Sequence, residues 1–90
     1  MAYEMIPIGY GNFVARSRVI ALVTSDSAPA RRLVQDARER SALIDATGGR
    51  RTRSVLIMDS DHVVLSAMPV EEIRARLGRS EREQDTEEGS

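Results

Sequence analysis

Three arginines within four positions, Arg50, Arg51 and Arg53, follow the pair Gly48-Gly49 and lead into the apolar run Val55-Leu56-Ile57-Met58. The glycines free the backbone, and the arginines add forked, permanently charged donors. Such forks match phosphate oxygens and the guanine edge bidentately. The segment therefore points to a polyanion partner, DNA foremost. The bland reading is an exposed turn whose arginines pair with Asp45, Asp59 or the acidic C-terminal end. Arg16 and Arg18 weigh against it. They stand two apart before Val19–Val23, so in extended chain they share one face. A sheet could bring that strand end beside the loop and make one basic rim, the footprint of a DNA binder.

Other candidate chemistry is thin. Asp59-Ser60-Asp61-His62 lacks the calcium-loop pattern, and Asp and Ser here favour a hairpin turn. His62 is the only histidine and there is no cysteine. That excludes histidine-pair metal sites and thiolate zinc, and leaves serines without a positioned base. Gly9-Tyr10-Gly11 lacks the third glycine of a dinucleotide fingerprint and reads as a turn. No enzyme, cofactor, metal or small-molecule substrate is expected.

Ninety residues, 41% apolar and 30% charged, fit one globular domain. A domain of this size buries a modest share of its surface, and self-association is a natural remedy. The net charge of −1 conceals an uneven distribution. Residues 1–78 hold eleven arginines and nine acids, whereas residues 79–90 hold two arginines and five acids. Every basic residue is Arg, which a GC-rich genome also produces, so the clustering rather than the residue type is the signal. A mildly basic fold gains DNA affinity most readily by repetition in an oligomer, because each neutralised phosphate releases counterion. No apolar run reaches membrane-spanning length and the N-terminus has no leader pattern, so a cytoplasmic protein is expected.

The elements that must position these residues are legible in outline. Met5–Ile8 reads as a strand, with Pro7 suited to an edge. Gly9–Asn12 reads as a turn, and Phe13–Ala15 as a continuing strand. Val19–Val23 is β-branched and apolar. Thr24–Ser27 offers N-caps, Pro29 suits a first helical turn, and Ala30, Leu33, Val34 and Ala37 form one helical stripe over 28–40. Leu43–Ala46 leads toward the arginine loop. Ser54–Met58 and Val63–Leu65 form an antiparallel hairpin. A second helix starts at Pro69, carries Val70, Ile73 and Leu77 inward, and stops at Gly78. The expected fold is a small single α+β domain, β-β-α-β-β-α, with a mainly antiparallel sheet over residues 1–78. Residues 79–90 lack apolar residues and read as a disordered acidic tail, either solubilising or competing with DNA for the arginines.

The chain resembles the RemA-like family of bacterial extracellular-matrix (biofilm) regulators over residues 5–77. The resemblance rests on Ile8-Gly9-Tyr10-Gly11-Asn12, Arg18-Val19-Ile20, Ser27-Ala28-Pro29, Leu43-Ile44-Asp45-Ala46-Thr47, Gly49-Arg50-Arg51-Thr52-Arg53, Met58-Asp59-Ser60-Asp61-His62 and Leu65-Ser66-Ala67. It implies a cytoplasmic DNA-binding transcriptional regulator that assembles into a closed homo-oligomeric ring. It also implies that Arg18, Arg50 and Arg51 carry DNA binding, and that Pro29 lies in a region supporting oligomerisation. Arg53 joins the site by proximity, and Arg16 as an added charge near the rim. Gly48 stands where relatives often carry a larger side chain, so a looser loop is expected. The alternative from another class is a structural or protein-interaction module whose arginines bind an acidic protein partner.

Overall fold

The computed structural model describes residues 4–78. The expected acidic tail, 79–90, lies outside the described residues. Six strands and two helices follow one another as β1 (Met5–Gly9), β2 (Asn12–Ala15), β3 (Val19–Thr24), α1 (Ala28–Glu39), β4 (Leu43–Asp45), β5 (Ser54–Met58), β6 (Val63–Ser66) and α2 (Val70–Leu77). A single 3-10 turn, Arg16–Arg18, joins β2 to β3.

β1 and β2 form an antiparallel hairpin of their own, and the other strands form a sheet in the order β3-β5-β6-β4. β3–β5 and β5–β6 are antiparallel, while β4 runs parallel to β6. The α+β class, the mainly antiparallel pairing and the β5–β6 hairpin therefore match the sequence reading. The order differs from the expected β-β-α-β-β-α by two strands: the segment read as a continuation forms β2, a separate partner of β1, and three residues read as a lead-out segment form β4 beside β6.

The alternation of side chains along each strand splits the core in two. Leu56 and Val64 face the β1–β2 hairpin and α2, where Ile6, Ile8, Val14, Ala46 and Ile73 close over them. Val55, Val63 and Leu65 face α1 and meet Ala30 and Ala37. α1 starts where Ser27 Oγ accepts the Ala30 amide at 3.1 Å, with Pro29 in its first turn. In α2, Pro69 is the cap and Gly78 the C-cap at φ −87°, so this glycine is not needed for a left-handed turn. Glu71 and Glu72 in the first turn and Arg74 and Arg76 in the last complement the helix dipole.

Two buried serines lock the layers. Ser66 Oγ donates to the Ile8 carbonyl at 2.8 Å and accepts from the Met68 amide at 3.0 Å. Ser54 Oγ donates to the Met68 carbonyl. These bonds fix the hairpin and the approach to α2 at the end of the sheet where the arginine loop enters β5.

Candidate nucleic-acid interface

The loop between β4 and β5 is pinned at both legs. Asp45 Oδ1 accepts from the Thr47 hydroxyl at 2.7 Å and the Thr47 amide at 3.0 Å. Those bonds, foremost the hydroxyl's, hold the Asp45 carboxyl below its ordinary pKa of 3.8, with a smaller pull from Arg38 against a partial desolvation cost. Buried Thr47 in turn accepts the Gly49 amide on its hydroxyl at 3.2 Å and the Arg50 amide on its carbonyl at 3.1 Å. Gly48 and Gly49 take φ +66° and +83°, the left-handed region that glycine enters without steric cost. On the far leg, the Arg53 amide donates to the Ser66 carbonyl at 2.8 Å, and Ser25 Oγ donates to the Thr52 carbonyl at 2.9 Å.

Gly48 is the point where the structure departs from the expected looser loop. A Cβ built there would lie 3.0 Å from Tyr10 Cγ, so the absent side chain makes room for the tyrosine ring. Tyr10 sits in the β1–β2 turn at φ 56°, and the Arg50 guanidinium carbon lies 5.2 Å from its ring centroid. Asn12 Nδ2 donates to the carbonyls of Gly9, Tyr10 and Ala46, tying this turn to the loop. Sequence reasoning treated Tyr10 only as part of a turn; an aromatic between two glycines was the available signal.

Arg51 and Arg53 line a shallow pocket of about 320 Å³ together with Thr24, Ser25, Thr52, Pro69 and Val70. Asp26 and Glu71 share it. Among the described residues, none of Arg50, Arg51 and Arg53 enters an ion pair. Two of the carboxylates that the bland reading offered them are engaged elsewhere, Asp45 with Thr47 and Asp59 with Arg18 at 3.1 Å, while the acidic end lies outside the described residues.

The expected single rim does not form within one chain. β3 runs antiparallel to β5, with Val19 opposite Met58 and Thr24 opposite Ser54. Arg18 therefore lies at the far end of the sheet from the loop, about 20 Å away at the rise of an extended strand. There its carbonyl accepts the Asp59 amide at 2.9 Å. Arg16 is placed at that end too, with Nε donating to the Leu77 carbonyl at 2.9 Å and Nη1 3.7 Å from Glu4. Its side chain is only 19% exposed, and it ties β2 to the last turn of α2. Pro29 is exposed at the start of α1. Asp59–Asp61 form the β5–β6 turn, closed by the Asp61 amide on the Met58 carbonyl at 3.0 Å.

Fold and site together define a small α+β module that holds a cationic loop at one end of a four-stranded sheet. The chain belongs to the RemA-like family: the model of extracellular matrix regulatory protein A-like proteins matches residues 5–77. Its relatives carry the provisional name of regulatory protein. One from Clostridium botulinum strain Hall is 52% identical over 89 residues, 99% of this chain and 98% of the relative. One from Halothermothrix orenii is 58% identical over 77 residues, 86% of this chain and 92% of the relative. One from Bacillus velezensis is 48% identical over 89 residues, 99% of this chain and all of the relative. The family model stops at Leu77, whereas the first and third of these alignments run on through the acidic tail. The family and these names give the chain a regulatory role. No helix among the described residues is long and apolar enough to cross a membrane.

Proposed function

We propose that this protein is a cytoplasmic DNA-binding transcriptional regulator acting as a closed homo-oligomeric ring. Arg50, Arg51 and Arg53 contact phosphates at one end of each subunit, and Arg18 contacts them at the other. A guanine edge is a further target wherever a fork enters the major groove. The family model's description, extracellular matrix regulatory protein A-like, supports the regulatory part of this reading.

The observation that carries this reading is the state of the loop charges. Among the described residues, three arginines without carboxylate partners are held on a backbone pinned at both legs. A fixed cationic loop loses little conformational freedom on meeting a polyanion. Arg16 contributes less, since its side chain already serves the fold.

The distance between the two arginine ends supports the ring. One protomer offers a small patch at each end, and repetition sums such patches. Among the described residues the sheet ends in two unpaired edges, β3 and β4, on opposite sides. Ile20 on β3 is 67% exposed, while Ile44 on β4 is 48% exposed and Phe13 on β2, which lines a groove with it, is 56% exposed. Different patches on opposite sides favour head-to-tail contacts, and these generate rings when the rotation closes. Pro29 and Leu33, one turn apart on the outer side of α1, add to the apolar surface for assembly.

A gel shift on promoter DNA across a salt series tests the DNA claim: steep weakening with salt is expected, and no binding at low salt favours the acidic-protein partner instead. Light scattering tests the ring, which a monodisperse monomer at micromolar concentration contradicts.

A further inference from the structure

Tyr10 is more than half exposed, holds a left-handed backbone that non-glycine residues seldom adopt, and meets the loop that carries Arg50, Arg51 and Arg53. Its surroundings account for that placement. Gly9 and Gly11 flank it at φ +103° and +79°, which lets the chain reverse tightly around it. The three Asn12 Nδ2 bonds hold the turn in register with Ala46, two residues before Gly48. Gly48 then gives the ring a surface without a side chain, where a Cβ would come within 3.0–3.3 Å of three tyrosine carbons. Over the ring lies the Arg50 guanidinium, 5.2 Å from the centroid.

An exposed arginine otherwise samples many rotamers. An aromatic face attracts a guanidinium through its quadrupole and restricts where the charge dwells. We infer that Tyr10 is a positioning residue of the DNA site: its ring, seated on Gly48, aims the Arg50 guanidinium outward before DNA arrives. This deepens the proposed function and rests on it. It assigns the β1–β2 turn, which is far from the arginine loop in sequence, to the interface, and it makes the chain's glycine at position 48 part of the site.

The test combines DNA affinity with a measurement on the free protein, using the full chain in its assembled form. Tyr10→Ala is expected to weaken binding to a promoter duplex by about two- to fivefold per engaged subunit, the range of a surface cation–π contact. Tyr10→Phe keeps the aromatic face and is expected to bind like the wild type. In the Arg50→Ala background, Tyr10→Ala is expected to add nothing, since the group it aims is gone. Equal affinity of Tyr10→Ala and wild type overturns the inference. So does an undiminished loss in the Arg50→Ala background, which would mean that Tyr10 touches DNA itself.

In the free protein, the Arg50 side-chain protons are expected to show a ring-current shift that Tyr10→Ala abolishes and Tyr10→Phe retains. If that shift is present but the wild type fails to bind DNA, the proposed function falls and the positioning stands. If the shift is absent, the positioning falls whatever the DNA result.

Discussion

Removing an acid that faces away from the loop should tighten DNA binding. Asp59 holds the Arg18 guanidinium at 3.1 Å, and both side chains remain partly exposed, at 38% and 49%. For Arg18 to take a phosphate, it must first leave Asp59. Exposed pairs of this kind are worth about 0.2–1 kcal/mol. Asp59→Asn removes that competition, so affinity should rise by about 1.4- to 5-fold for each engaged subunit, at 1.4 kcal/mol per tenfold. Loss of a negative charge beside DNA adds to the gain. Stability should fall by no more than about 1 kcal/mol, because the backbone bond from the Asp59 amide to the Arg18 carbonyl survives. Fluorescence anisotropy on a labelled promoter duplex, at fixed moderate salt, reads the change. The same substitution in an Arg18→Ala background separates the causes. A gain that persists without Arg18 would be a general charge effect, and no gain in either background would remove Arg18 from the interface.

Three further outcomes follow from the same geometry. Glu71→Gln clears an acid from the pocket of Arg51 and Arg53 and should raise DNA affinity without changing the oligomer, as gel shift and light scattering would show. Ser66→Ala leaves the Ile8 carbonyl and the Met68 amide unsatisfied in a fully buried position, and should cost about 1–3 kcal/mol in a denaturant titration. The depressed Asp45 pKa stabilises the fold above the ordinary carboxylate value of 3.8, and that contribution is lost only as pH falls through the lower folded value. The Thr47 amide resonance should therefore titrate with a midpoint below 3.8, and Asp45→Asn should abolish the titration.

Much of the fold was legible because local signals agreed. Ser27, Pro29 and the Ala30–Ala37 stripe specify α1, and the β5–β6 hairpin follows from two apolar runs around Asp59–Asp61. β4 was not legible: Leu43–Asp45 is too short to show a period and becomes a strand only because β6 lies beside it. The candidate site was half legible. Clustering alone exposed Arg50, Arg51 and Arg53. The place of Arg18 depended on the pairing of β3 with β5, which residue types do not encode, and antiparallel pairing sets its strand end opposite the loop. Arg16 looked like a rim charge because its partner, the Leu77 carbonyl, is a backbone group 61 residues away. Tyr10 was read only as a turn residue and Asp59 only as a turn acid or a partner of the loop arginines, since each gains its relevance from a contact made across the fold.

The central claim is that the loop arginines Arg50, Arg51 and Arg53 neutralise DNA phosphates. The most direct measurement is the salt dependence of promoter binding for the wild type and for the triple change of Arg50, Arg51 and Arg53 to Ala, with the oligomer verified intact. Each phosphate neutralised contributes about 0.9 to the log–log slope. The three arginines should therefore account for up to about 2.7 units per engaged subunit, and the triple variant should bind weakly with a correspondingly flatter slope. A variant that binds with unchanged affinity and slope would contradict the account.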